Sequence, residues 1–178
     1  MVATGSDREL LEASRAGDRD AFRDLFETHK DRVYSIALRF SGQPATAMDI
    51  TQDTFVKLFS RIGEFRGESS FESWLYRVVV NSCMDHRRKF ARLVPLLDTM
   101  VCRARGDITD QLVRDQLNGR VRKAISELAP ELRIAVVLRY TEGLSYEEIA
   151  EATGCPAGTV ASRLNRAHRD LARKLGRV

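Results

Sequence analysis

The chain has 178 residues, 43% apolar and 30% charged, with a formal net charge of +4; that is enough for one ordinary domain or two of about 60 to 80 residues. Only four prolines (Pro44, Pro95, Pro130, Pro156) and no alternating β-branched runs punctuate it, which excludes a β-sandwich or barrel and predicts an all-α fold. No apolar run is long enough to span a bilayer and Met1–Asp7 is polar, so a cytoplasmic protein without membrane insertion is expected.

Residues 1–14 read as a tail. Between Ala21 and Phe40, Phe22, Leu25, Phe26, Val33, Ile36, Ala37 and Phe40 fall at the three-and-four spacing of one helical face. Ser41-Gly42-Gln43-Pro44 then breaks the helix. A second helix is predicted over Ala47–Ile62, burying Phe55, Leu58, Phe59 and Ile62 and turning Asp49, Asp53, Lys57 and Ser60 outward, with Gln52 on its flank. A loop bracketed by Gly63 and Gly67 leads to Ser69 and Glu72, whose spacing reads as a capping box. The third helix, about Ser70–Ala91, has the stripe Phe71, Trp74, Leu75, Val78 and Ser82 inward and Arg77, Asn81, Arg88 and Lys89 outward. Residues 92–117 carry Pro95, Gly106 and mixed charge and read as a linker, although Leu93, Val94, Leu96, Leu97, Met100 and Val101 suit docking on a partner as well as on the chain's own domains.

Helix resumes near Leu117 with Val121, Ala124, Ile125 and Leu128, and Pro130 opens another containing Ile134, Val137 and Leu138. In Leu144-Ser145-Tyr146-Glu147-Glu148-Ile149, Ser145 and Glu148 form a capping box and Leu144 staples to Ile149. A two-turn helix ends at Thr153-Gly154, Pro156 takes the first position of the next helix, and that helix runs to about Lys174. Short helix, glycine-containing turn and second helix make a helix-turn-helix. On the last helix Val160, Leu164, Ala167, Leu171 and Leu175 form the apolar stripe, which places Gly158, Ser162, Asn165, Arg166, Arg169 and Arg173 opposite it with no carboxylate among them. A merely solvated face mixes signs. Arginine reads guanine or grips phosphate and asparagine reads adenine, so this face is predicted to bind DNA.

The charge is also uneven along the chain. Residues 1–60 hold 8 basic and 10 acidic groups, residues 61–92 hold 7 and 4, and residues 155–178 hold 6 and 1. Two basic stretches on a near-neutral body suit a polyanion contacted at two places. Catalysis is not expected: His29, His86 and His168 are isolated, and no HExxH, GxSxG, phosphate loop or GxGxxG is present. No cofactor, metal site or small-molecule substrate is predicted. His29 reads as a structural histidine. Asp49 and Asp53, one turn apart, could hold a cation but serve equally as an acidic face for a basic protein. Cys83, Cys102 and Cys155, odd in number and widely spaced, read as reduced structural thiols.

These same residues carry a family resemblance. Asp49-Ile50-Thr51-Gln52-Asp53-Thr54-Phe55, the block from Phe65 through Trp74 to Asn81, and Gly143–Ala150 with Gly158–Leu164 together resemble an extracytoplasmic-function sigma factor of the sigma-70 family. The resemblance covers about residues 15–90 and 117–175. It implies two small helical domains joined by a linker: residues 15–91 for polymerase docking and promoter −10 recognition and melting, 92–117 as linker, and 118–178 as a helix-turn-helix domain for the −35 element. It implies that Asp49, Gln52, Asp53 and Lys57 dock on core RNA polymerase. It further implies that Phe65, Arg66, Ser69 and Ser70 hold a flipped −10 base in a pocket lined by Asn81, with Arg77, Arg87, Arg88 and Lys89 on backbone phosphates. Ser162, Arg163, Asn165, Arg166, Arg169 and Arg173 would contact the −35 element. The linker would thread the polymerase's RNA exit path, and an anti-sigma factor would restrain the chain. The family often has an acidic pair before the docking helix, whereas Thr46-Ala47-Met48-Asp49 offers only Asp49. On the residues alone, a stand-alone dimeric helix-turn-helix regulator remains the alternative, although it leaves the Phe65–Trp74 block without a role.

Overall fold

The computed structural model describes residues 5–65, 69–93 and 112–176. Every regular element among them is helical: α1 (Gly5–Arg15), α2 (Arg19–Ser41), α3 (Pro44–Arg61) with a 3-10 turn at Ile62–Glu64, α4 (Phe71–Leu93), α5 (Leu112–Ser126), α6 (Pro130–Tyr140), α7 (Tyr146–Thr153) and α8 (Ala157–Leu175). No helix among the described residues is long and apolar enough to cross a membrane. The expected docking stretch 94–101, Arg66 and Cys102 lie outside the described residues.

Local chemistry sets the breaks. Asp18 caps α2, its carboxylate accepting from the Asp20 and Ala21 N–H groups at 2.9 and 3.1 Å. At the other end Gly42 adopts φ 73° and donates its N–H to Leu38 at 2.8 Å, and Pro44 starts α3 where its missing N–H costs nothing. At α4 the cap falls one residue later than the predicted Ser69–Glu72 box. Ser70 Oγ accepts from the Ser73 N–H at 3.1 Å, and Glu72 is drawn instead to Arg32, 2.7 Å away. Helix α4 reaches Leu93 and α5 begins at Leu112, so both helices run further into the 92–117 interval than their periodicity indicated. Pro156 caps α8 rather than opening it.

The residues read as a tail form α1, which packs on α2 with Leu11 and Asp7 buried. An 11-residue helix has little stability alone, so only its partner reveals it. Asp7 meets His29 on α2: Nε2 lies 3.5 Å from Asp7 Oδ2 and the imidazole centre lies 5.3 Å from that of the Phe71 ring, tilted by 58°. His29 is buried, and desolvation, opposed by the Asp7 charge, holds its pKa below the ordinary histidine value. The unfolded chain therefore takes up a proton that the folded chain resists. Stability contributed by neutral His29 is complete above about pH 6.5 and is lost as pH falls toward the depressed folded value. Chemical denaturation at pH 7.5, 6.5 and 5.5 should show falling stability, and His29→Gln should flatten that dependence; an unchanged slope in the variant would remove His29 as its source.

The α3 stripe is shifted from its prediction. Ala47, Ile50, Thr54 and Leu58 are buried together with Phe55 and Ile62, whereas Phe59 is 52% exposed. Thr54 makes this possible by donating its hydroxyl to the Ile50 carbonyl at 2.7 Å, which lets a polar residue occupy the centre of the stripe and moves Phe59 to its flank. Phe59 there meets the Phe22 ring edge-on at 4.9 Å.

Helix α4 buries more than the stripe predicted for it. Phe71, Leu75, Val78 and Ser82 are inward as expected, but Tyr76, Val79, Val80 and Cys83 are buried too and Trp74 only half so. The second face is covered because α4 packs on α7, while α2 packs on α6. The buried apolar side chains of the two halves thus form one cluster. Burial pushes the Cys83 thiol up to about 12, which keeps it protonated and unreactive.

Around that seam Arg32 binds Glu72 through Nη1 at 2.7 Å and Glu142 through Nε at 3.0 Å. The Tyr76 hydroxyl donates to the same Glu142 carboxylate at 3.3 Å. Arg77 lies 3.5 Å from Glu151 on α7. Arg133 Nη1 donates to the Phe40 carbonyl at 2.7 Å, with its guanidinium 5.5 Å from the Phe40 ring centre.

Candidate nucleic-acid interface and docking face

Helices α7 and α8 are held as a rigid pair by short-range bonds. Ser145 Oγ accepts from the Glu148 N–H at 3.1 Å, and Glu148 accepts from the Ser145 N–H at 2.7 Å, which holds the Glu148 carboxyl below its usual range. Leu144 and Ile149, the predicted staple, are both buried. Arg139 fixes the preceding turn by donating to the Leu144 carbonyl at 2.7 Å. Gly154 turns the chain at φ 65°, a conformation that favours glycine. Val160, Leu164 and Ala167 then anchor α8 on the core, with α6 behind it.

The opposite face of α8 carries Gly158, Ser162, Asn165, Arg166, Arg169 and Arg173, all six exposed as predicted. Arg166 and Arg169 have no ion pair among the described residues, whereas Arg173 lies 2.9 Å from Asp170. Arg163 is turned partly inward, with Nη1 3.3 Å from Cys155 Sγ. Beside this face a groove of about 430 Å³ runs between the start of α6 and α8, lined by Ala129, Glu131, Leu132, Ser162, Arg163, Arg166 and Arg169. The far end of α8 is clasped by α5 and the residue that follows it: Lys174 reaches Glu127 at 2.6 Å, and Arg120 donates to the Leu175 carbonyl at 3.4 Å.

In the N-terminal half the predicted residues separate into groups. Ser70 and Asn81 are exposed and Ser69 partly so, the two serines just before α4 and Asn81 in its third turn. Phe65, expected to face a nucleic acid, is buried with its ring 5.2 Å from Trp74. The sequence of a glycine-bounded loop does not show that this aromatic folds back under α4. Arg87, Arg88 and Lys89 are exposed, Arg88 lying 3.5 Å from Asp85 and Lys89 3.9 Å from Asp53. Arg77 is exposed as well and lies 3.5 Å from Glu151 on α7.

On α3, Asp49 and Gln52 are exposed and Asp53 is partly so. Lys57, predicted to point outward with them, turns onto α4, donating to Asp85 at 3.0 Å and Ser82 at 3.2 Å. The carboxylate facing it across two helices draws the ammonium inward, which angular arithmetic on one helix does not capture. The reading of the residues also missed Met48 and Val56, 64% and 61% exposed, which with Phe59 form an apolar stripe among the acidic groups. The signal was present as the spacing 48, 52, 56, 59, a second face of the same helix.

Two family matches cover the two halves of the chain, the first ending where α4 ends. Residues 25–93 match Sigma-70 region 2 and residues 118–171 match Sigma-70 region 4. The RNA polymerase sigma-H factor of Pseudomonas aeruginosa is 33% identical over 98% of this chain and 96% of its own length. This chain belongs to the extracytoplasmic-function group of the sigma-70 family. The ECF RNA polymerase sigma-E factor of Haemophilus influenzae is likewise 33% identical, over 98% of both chains. Among solved structures, CnrH in complex with the cytosolic domain of CnrY superposes with a TM-score of 0.71 at 26% identity, covering 96% of this chain and 97% of that one. The sigma factor RpoE of Bartonella quintana, in complex with the anti-sigma factor NepR, gives 0.66 at 25% identity, covering 88% of this sigma factor and 97% of that chain.

Proposed function

We propose that this sigma factor directs core RNA polymerase to promoters, reading the duplex −35 element with α8 and the melted −10 element with the exposed start and outer face of α4. The observation that carries the reading is the α8 face, where six exposed positions hold three arginines, an asparagine and a serine and no carboxylate. Recognition helices dock in the major groove, with arginine and asparagine on base edges and phosphates. Ser162, Asn165, Arg166, Arg169 and Arg173 make those contacts, with Arg163 at the groove wall. Ser69, Ser70 and Asn81 line the −10 pocket, and Arg77, Arg87, Arg88 and Lys89 hold phosphates. Phe65 shapes that pocket from beneath.

Asp49, Gln52 and Asp53, interleaved with Met48, Val56 and Phe59, form the polymerase-docking face; apolar area supplies affinity and the carboxylates set the register. Lys57 supports the face through α4. The polymerase supplies the chemistry, and this chain supplies recognition and strand separation in the cytoplasm. Restraint by an anti-sigma factor is supported by the solved complex of a relative with NepR.

Incubation with core polymerase and a promoter library tests the reading. Addition of this chain should create start sites that core polymerase alone does not produce; identical start sites with and without it would refute the assignment. Tight binding of the free chain to a palindrome would instead favour a self-sufficient regulator.

A further inference from the structure

Helix α1, the segment that the sequence reads as a tail, lies on two elements at once: on α2 and on the 3-10 turn Ile62–Glu64 that follows α3. Leu11 is 5% exposed and belongs to the same apolar cluster as Ile62 and Phe65. The turn closes where the Phe65 N–H donates to the Ile62 carbonyl at 3.3 Å. A second route from α1 runs through rings. Asp7 faces His29, the His29 ring centre is 5.3 Å from that of Phe71 at the start of α4, Phe71 is 6.0 Å from Trp74, and Trp74 is 5.2 Å from Phe65. Both routes end on Phe65 and Trp74. Helices α2, α3 and α4 meanwhile pack on one another directly, so the core of this half closes without α1.

We propose that α1 is a positioning element for −10 recognition: Leu11, through the 3-10 turn, and Asp7, through the His29–Phe71–Trp74 rings, hold Phe65 and the start of α4, and with them Ser69 and Ser70, in the arrangement that receives the −10 base. Asp7, Leu11, His29, Ile62, Phe65 and Phe71 are all buried, so none of them touches nucleic acid and each acts through what it packs on. Close-packed interiors pass displacement from one side chain to the next, and a base pocket works only when its lining is held to a fraction of an ångström by the shell behind it. The serines lie outside the regular part of α4 and are exposed or half-exposed, so their own contacts do not fix them. With α1 loosened, the receptive arrangement is populated for less of the time, and apparent −10 affinity falls by that fraction. The −35 face, built on α8 in the other half, is untouched by this change.

This inference rests on the promoter-reading assignment, and two readouts keep them apart. Trp74 is the only tryptophan of the chain, so its fluorescence reports the far end of both routes without DNA. Leu11→Ala should shift Trp74 emission to the red and raise its quenching by acrylamide, and Leu11→Met, which conserves volume, should restore the wild-type signal. Asp7→Ala, which removes the group facing His29, should act in the same direction and serves where Leu11→Ala fails to fold. In complex with core polymerase, opening of a promoter labelled with 2-aminopurine in its −10 element should fall roughly 2- to 30-fold for Leu11→Ala. The same complexes should bind a duplex carrying only a −35 element as the wild type does. Unchanged Trp74 emission in the folded variants, equal losses on the two DNAs, or weakened association with core polymerase would each overturn the positioning role. A wild-type complex that opens no promoter would instead overturn the promoter-reading assignment, while Trp74 emission would still decide whether α1 is coupled to the start of α4.

Discussion

Arg166→Ala is expected to cost about 1–3 kcal/mol of binding to promoters that carry a −35 element, a loss of roughly 5- to 150-fold, while leaving association with core polymerase unchanged. Arg166 is exposed on α8, has no ion pair among the described residues and lines the groove between α6 and α8. Its guanidinium carries no structural duty that its removal would disturb. Competition between promoter variants distinguishes the two ways it can act. Loss confined to one base position indicates base reading, whereas uniform loss with a shallower salt dependence indicates a phosphate contact. Loss of polymerase association would show that this face of α8 docks on protein.

Leu164→Ala acts on the other side of the same helix and should destabilise the fold by about 2–5 kcal/mol. Leu164 is among the largest fully buried side chains and lies between Val160 and Ala167 on the stripe that seats α8. Guanidinium denaturation should show a lower midpoint, and Leu164→Met, which conserves volume, should stay within about 1.5 kcal/mol of the wild type. The alanine variant should also lose −35 recognition, because the arginine face is only as well positioned as the stripe beneath it. A stable Leu164→Ala protein would mean that α8 is seated by its turn and its clasp at α5 rather than by its core.

Most of the helix boundaries were legible because their signals are local: Gly42 with Pro44, Ser145 with Glu148, and Gly154 all act within a few residues. The outward face of α8 was legible for the same reason, since one strong stripe leaves its opposite unambiguous. Where the reading missed, the cause lay in a second helix. Lys57 points inward because Asp85 faces it from α4, and α1 exists because α2 covers Leu11. The extra burial of Tyr76, Val79 and Val80 comes from α7, about 70 residues away in the chain. The seam at Glu142 could not be read at all, because its residues are brought together only by the packing of the two halves.

The clasp at the far end of α8 ties that helix to the segment before it. α5 is the first helix after the linker interval, and Arg120 on it and Glu127 just past its end reach Leu175 and Lys174 at the end of α8 furthest from the turn. Val160, Leu164 and Ala167 seat the near end of α8 and Leu171 packs partly buried against the same core, so the clasp holds only the final turn. The outer end of the arginine face, at Arg173, is therefore steadied by the segment that leaves the linker interval, whereas Ser162 and Arg166 ride on the core stripe.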